Sequence, residues 1–459
     1  MITGKTLIDM GYEQAKWFGD VISYANTHNL TNYQIHQYIR QYIAPTISQK
    51  VYPPEKPINF RKYIMAVTED EMDNVESVCA AMNNVLMTPT AVDAVIMPDA
   101  CPTGKDEIPV GGVIATKNAI HPRMHSADIC CSVMSTELGY TDPKTVLDAA
   151  FKITHFGVGG RSRENQLCPL PSKLKEKIES NSFLNNQKSL DYAHSHLGTQ
   201  GDGNHFLFVG VSRNTGRTHI ITHHGSRGFG ANLYKIGVAK AESICKNIAP
   251  TVNPKNTWIP YDTDEGKEYW QALQIVREWT KLNHQCIHEA VANSVSDIIP
   301  APWNQFWNEH NFVFKDGDIF YHAKGATPML DKFLPDSYEG MRLIPLNMGQ
   351  PILIVKAHDN NNALGFAPHG AGRNFSRSQH MKRSLVNKSV DELFVEETKG
   401  LDIRFHSGKI DISELPSAYK NADNVKFQIE FFDLANIVDE IMPYGCIMAG
   451  HVDQPWRKK

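Results

Sequence analysis

Basic residues are not in excess in this sequence: 46 lysines and arginines face 50 aspartates and glutamates, for a formal net charge of −4. That excludes a chain coated in positive charge, so any nucleic-acid contact has to come from a local patch. No apolar run approaches the roughly 18 uninterrupted residues of a membrane span, and no membrane association is expected. The opening MITGKTLIDMGYEQAKWFGDV lacks a basic region followed by an apolar one, so no signal peptide is read. Cysteine is sparse: eight, at positions 79, 101, 130, 131, 168, 245, 286 and 446, are scattered over 459 residues. That pattern favours free thiols in a reducing cytoplasm over a disulfide frame. Internal repeats and low-complexity linkers are also missing.

What is present suits a folded catalytic chain. Apolar residues make up 41% and charged residues 21%, enough for a sizeable core. Residues 1–60 read as a helical lead-in that breaks near Val51-Tyr-Pro-Pro54, and residues 61–459 as one catalytic domain. Short apolar runs at Ala94–Met97, Gly112–Ile114, Phe206–Val211, Thr218–Thr222, Asp318–His322 and Pro351–Val355 read as strands. A turn over Arg213–Arg217 joins the third and fourth. Asp262–Ile299 carries apolar residues at three- and four-residue steps and reads as a long helix. After Gly400, short strands lead to a closing segment around Phe427–Ile441. Regular βαβ alternation is missing, so the class is α+β, with mixed sheets and helices around a central cleft.

Five segments set reactive side chains among small residues. Ser126-Ala-Asp-Ile-Cys-Cys-Ser132 places Asp128 and Cys131 three apart, and a carboxylate with a thiolate suits Mn²⁺, Zn²⁺ or Fe²⁺ better than Mg²⁺. Gly201-Asp-Gly-Asn-His-Phe206 is a glycine-rich turn able to approach a ligand closely. His223-His-Gly-Ser-Arg-Gly-Phe-Gly230 runs from a strand into a helix and makes an anion site through Arg227. In Glu309-His-Asn311 and His322-Ala-Lys-Gly-Ala-Thr327, His310 suits a metal, Asn311 an orienting amide and Lys324 a phosphate. Read singly, each of these four segments is also compatible with an ordinary turn or strand end. The most specific pattern is Pro368-His-Gly-Ala-Gly-Arg-Asn-Phe-Ser-Arg377: three small residues let a phosphate approach His369, and Arg373 and Arg377 can neutralise it. A histidine so placed can act as nucleophile or base. His284 and His288 have metal-ligand spacing but no accompanying HExxH, and read as a solvated helix flank.

In order and spacing these segments resemble the RtcB RNA ligases over roughly residues 90–450. Met97-Pro-Asp99 with Val110-Gly-Gly-Val113 resembles MPD…IGG, and Asp128–Cys131 resembles DIGC. Gly203–His205 matches GNH, His223–Gly228 HxGSRG, His310-Asn311 HN, Lys324–Thr327 KGAT, His369–Arg373 HGAGR and Ala418–Asn421 AYKN. Met348-Gly349 stands where GSMG is expected.

The resemblance implies a site. Asp128, Cys131 and His205 would hold one Mn²⁺, and Cys131, His223 and His310 a second, with the thiolate bridging. His369 would attack the α-phosphate of GTP to give a histidine–GMP phosphoramidate. The guanylate would pass to an RNA 3′-phosphate, formed where needed from a 2′,3′-cyclic phosphate, and a 5′-hydroxyl would displace GMP. Asn204, Asn311, Asn347, Met348, Gly370, Ala371, Gly372 and Tyr419 would contact the nucleotide. Arg227, Lys324, Arg373 and Arg377 would bind phosphates of nucleotide or RNA. The setting would be RNA repair or tRNA splicing, in the cytoplasm, with an accessory repair protein as a possible partner.

Several family positions differ. Phe208 replaces a glutamate and Met448 a lysine, both expected at the guanine base, which leaves the base open. Cys130 replaces the DIGC glycine and would bring a second thiol near the metals. Cys101, Leu346-Asn347 and Ala323 are further departures. Two other readings stay open: a two-metal phosphohydrolase or cyclic phosphodiesterase acting on RNA ends, and an RNA-binding relative without ligation.

Overall fold

The computed structural model describes residues 2–12, 14–39, 50–295, 305–358 and 362–451. Two compact units emerge, Met1–Tyr52 with Cys245–Thr251, and Pro53–Ile244 with Val252–Lys459. The first contains helices Gly4–Asp9, Phe18–Thr27 and Asn32–Tyr38, two of them opened by capping boxes at Thr3 and Thr31. Its small core gathers Leu7, Phe18, Val21, Ile35 and Ile39.

The second unit is α+β. A five-stranded sheet runs in the order Arg61–Lys62, Ala91–Cys101, Val110–Lys117, Ile319–Lys324, Asn311–Asp316. A larger sheet runs Arg342–Pro345, Ile352–Lys356, Asn436–Met448, Phe206–Ser212, Thr218–His224, Ser132–Glu137, Gln305–Glu309, with Asp402–Phe405 also paired to Asn436–Met448. Along that path every pairing is antiparallel. Neighbouring strands therefore begin and end at the same edge. Phe206 lies opposite His223, Val133 opposite His223, and Ser132 opposite both His224 and Glu309. So His205, His223, Cys131 and His310 collect at one edge of four adjacent strands.

The strands read from sequence are present with shifted ends, and the Arg213–Arg217 turn joins Phe206–Ser212 to Thr218–His224. The closing segment divides instead: Ala422–Phe431 is helical and Asn436–Met448 is one 13-residue strand. Ile299 lies outside the described residues; the long helix spans Asp264–Val295. Thr263 caps it by accepting from the amide of Gly266, and Asp264 and Glu265 in the first turn suit the helix dipole. It buries Tyr269, Leu273, Val276, Trp279, Ile287 and Val291.

Two expectations are overturned here. His284 and His288 are not solvated. Both are fully buried on the long helix and form a hydrogen-bonded chain: Ser132 Oγ to His284 Nε2 (2.9 Å), His284 Nδ1 to Thr222 Oγ1 (2.6 Å), Thr222 Oγ1 to His288 Nε2 (2.7 Å), His288 Nδ1 to Thr136 Oγ1 (2.6 Å). Spacing alone cannot tell a solvated flank from a buried one when the sheet supplies hydroxyl partners. And Cys168 is joined to Cys286 in a disulfide across 118 residues, while the other six cysteines are outside any disulfide. Scattered positions concealed a pair whose Cα atoms lie 5.9 Å apart. No helix among the described residues is long and apolar enough to cross a membrane.

Burial pulls the pKa values of His121 and His288 down to about 3, and those of His125 and His219 to about 4. These rings are neutral when folded but titrate near 6.5 when unfolded. The unfolded chain therefore binds more protons below pH 6.5, and stability falls as pH drops toward 4. Each histidine contributes up to about 1.4 kcal/mol per pH unit in that window. Urea midpoints at pH 7.5, 6 and 5 should decrease in order; a constant midpoint would contradict the buried neutral rings.

Candidate functional site

At the sheet edge, Cys131 Sγ lies 3.2 Å from His223 Nε2 and 3.6 Å from His205 Nε2. His205 Nε2 is 3.1 Å from Asp128 Oδ2, and His223 Nε2 is 3.2 Å from His310 Nε2. Two donor groups result, Asp128–Cys131–His205 and Cys131–His223–His310, each with its atoms within 4.8 Å of one another. The thiol belongs to both. Neither His284 nor His288 belongs to such a group among the described residues.

The chemistry of this set fits cations. His223 Nδ1 donates to the carbonyl of Asn204 (3.0 Å), which leaves Nε2 as the lone pair facing the cluster. Burial lowers the pKa of His223 to about 3 and that of His310 far below its usual value, so both rings are neutral donors suited to a cation. Burial also pushes the Cys131 thiol well up, with the Asp128 charge adding to it. A bound cation is what would ionise a thiol in that setting. Local backbone makes room: a Cβ on Gly225 would lie 2.0 Å from Asp128 Oδ1. His310 is fixed by its amide, which donates to the Cys131 carbonyl (2.9 Å).

A cavity of about 900 Å³ opens over this cluster. His369 stands in its wall with its ring centroid 4.8 Å from that of His310. His369 Nδ1 donates to Asp99 Oδ2 (2.6 Å), and its amide donates to the same oxygen (3.1 Å). Asp99 is fully buried. The proton is thereby held on Nδ1 and Nε2 stays free. Asp99 was visible in sequence only as part of a motif, with no role; nothing local marks a carboxylate 270 residues away as the partner of His369.

Asn204, Asn311, Lys324, Asn347, Met348, Gly370, Ala371, Gly372, Arg373, Arg377 and Tyr419 all line this cavity. Asn311 Oδ1 accepts from the Gly325 amide (2.8 Å), and Lys324 Nζ donates to Thr103 Oγ1 (3.0 Å). Arg227 is different. Its guanidinium donates to the Gly157 carbonyl (2.9 Å) and Thr199 Oγ1 (3.3 Å) and is not part of the cavity wall. Arg373 and Arg377 share a buried carboxylate that sequence reading missed: Glu414, 1% exposed, accepts from Arg373 Nη2 (2.8 Å), Arg377 Nε (2.9 Å) and the Tyr419 hydroxyl (2.5 Å). Part of the expected positive charge is thus already offset inside the protein.

The family model for tRNA-splicing ligase RtcB matches residues 81–449. The chain belongs to the RtcB family. Similar proteins include the tRNA-splicing ligase RtcB of Pyrococcus furiosus, 26% identical over 290 residues that cover 54% of this chain and 29% of that protein. The tRNA-splicing ligase RtcB of Thermococcus kodakarensis is 25% identical over 79% of this chain and 89% of its own length. The RNA-splicing ligase RtcB of Mycobacterium bovis is 26% identical over 55% of this chain and 64% of its own. The chain spans less than a third of the length of the Pyrococcus proteins that it matches.

Several departures from the expected pattern find a place in the structure: Cys101 lines the cavity and Ala323 is buried in the core. Phe208 and Met448 lie on the paired strands Phe206–Ser212 and Asn436–Met448, with Phe208 opposite Cys446 and Phe206 opposite Met448, and all four line the cavity. Together with Leu346, Met348 and Ile352 they give it an apolar wall. Cys130 belongs to neither donor group among the described residues, contrary to expectation. It takes the left-handed conformation that a glycine would adopt freely (φ 58°), and its side chain is buried in the core beside Thr280.

Because one thiol serves both donor groups, Cys131→Ala should empty both, whereas His205→Ala or His310→Ala should empty one. Metal counted by atomic emission after loading with Mn²⁺ and gel filtration tests this; equal metal in Cys131→Ala and the unaltered protein would refute the shared donor.

Proposed function

We propose that this chain is an RNA ligase that joins RNA 3′-phosphate or 2′,3′-cyclic phosphate ends to 5′-hydroxyl ends through a nucleotidylated His369, in RNA repair or tRNA splicing. The observation that carries this reading is the pairing of His369 Nδ1 with Asp99 beside a cluster suited to two cations. A ring held through Nδ1 can serve as nucleophile as well as base, and nucleotidyl transfer uses it as the nucleophile. Asp128, Cys131 and His205 would hold one Mn²⁺ and Cys131, His223 and His310 the other. When bound, these ions supply Lewis-acid polarisation of phosphoryl oxygens.

The remaining steps belong to the protein. His369 Nε2 attacks the α-phosphorus of a nucleoside triphosphate, forms a P–N bond and expels pyrophosphate, while Asp99 keeps the Nδ1 proton in place. An oxygen of the RNA 3′-phosphate then takes the nucleotidyl group, returning the lone pair to Nε2. The 5′-hydroxyl attacks the activated 3′-phosphate and releases the nucleoside monophosphate, losing its proton to water. Lys324, Arg373 and Arg377 offset phosphate charge along this path, and Asn204 contacts the nucleotide. Arg227 stands outside the cavity wall, held by the Gly157 carbonyl and Thr199 Oγ1. GTP is the donor that the resemblance implies, with the base left open; the apolar wall around Phe208 and Met448 would offer the base stacking and burial in place of charged edge recognition.

Incubation with Mn²⁺ and each of the four α-³²P nucleoside triphosphates should give an acid-labile, hydroxylamine-sensitive protein label that His369→Ala loses entirely. No label from any triphosphate, together with phosphate release from RNA ends, would overturn ligation in favour of hydrolysis; RNA binding with neither activity would leave a non-ligating relative.

A further inference from the structure

Lys420 follows Tyr419 in the chain but belongs neither to the donor groups nor to the cavity wall. Only 6% of it is exposed, and it makes no ion pair among the described residues. A buried ammonium is costly unless its protons are satisfied. Here its acceptors are carbonyls: Nζ donates to Ala100 (2.7 Å) and, more weakly, to Pro98 (3.4 Å). Those two residues flank Asp99. The backbone amide of Lys420 donates to the carbonyl of Gly372 (2.9 Å), three residues beyond His369. Gly372 has φ 72°, and a Cβ there would lie 2.0 Å from the Asp99 carbonyl oxygen, so the two backbones are in direct contact.

One residue thus grips both halves of the His369–Asp99 pair: its side chain holds the Asp99 segment and its main chain holds the nucleophile loop. Burial lowers the pKa of the Lys420 ammonium, and the nearby Cys101 and Asp99 act in the opposite sense, raising it. Its stem and charge are spent on two carbonyls that a shorter or neutral side chain would leave unpaired.

We propose that Lys420 is a positioning residue that fixes Asp99 against the 369–372 loop and so keeps His369 in the tautomer with its proton on Nδ1. The link to catalysis rests on the nucleotidyl-transfer reading above; the tautomer itself does not.

The test uses the full chain with ¹⁵N-labelled histidine and compares the unaltered protein with Lys420→Met, which keeps the stem, and Lys420→Arg, which keeps the charge. Long-range ¹H–¹⁵N spectra, with His369 assigned by its loss in His369→Ala, should show a protonated Nδ1 and a bare Nε2 in the unaltered protein. In Lys420→Met that signature should become an average of the two tautomers, and the labelling rate at saturating triphosphate should fall roughly tenfold or more with little change in KM. Lys420→Arg should recover part of both. If Lys420→Met does not fold, as judged by circular dichroism, Lys420→Gln takes its place. An unchanged His369 spectrum and labelling rate in the folded variant would overturn the proposal. A changed spectrum in a protein that takes no label even when unaltered would retain the positioning role and reject the ligase reading instead.

Discussion

The site depends on one sulfur atom being reachable from four strands. Cys131 stands at the start of Ser132–Glu137, with the His223 strand on one side and the strand leading to His310 on the other. His205 enters from one strand further along. Antiparallel pairing is what makes this possible, because strand starts and strand ends alternate along the same edge. A slip of one residue in any of these registers would turn a ligand to the opposite face of the sheet. The buried chain from Ser132 through His284, Thr222 and His288 to Thr136 ties the two central strands of that set to the long helix, so the polar core is part of how the cluster keeps its shape.

Charge is arranged with the same economy. Asp99 on His369 and Glu414 on Arg373 and Arg377 place a buried carboxylate behind three of the groups that line the cavity. Such pairing reduces the rotamer freedom of the arginines before any ligand arrives, and it tempers the positive potential that a count of basic residues in the motif suggests. The Ser376 capping box adds to this by starting the helix at Arg377, which sets the direction of that side chain.

Much of this was legible in the sequence, and the limits follow physical lines. The α+β class, the hairpin around Arg213–Arg217 and the long helix follow from periodicity and turn residues, which are local signals. The ligand set was legible only through the resemblance, since no spacing rule brings Asp128, His205, His223 and His310 together. Contacts between distant segments stayed hidden: Asp99 with His369, Glu414 with two arginines, Cys168 with Cys286. His284 and His288 were misread because burial depends on what covers a helix face, and that information lies in other strands. Cys130 was misread because adjacent residues in an extended or turning backbone point to opposite sides.

His310 is the single residue between Gln305–Glu309 of the larger sheet and Asn311–Asp316 of the smaller one. It stands at a joint as well as in a donor group. Any sliding of one sheet over the other would be transmitted to a donor atom within one peptide unit, and any ion drawing on that atom would stiffen the seam. Filling the centre would therefore bear on the seam between the two sheets, through one imidazole.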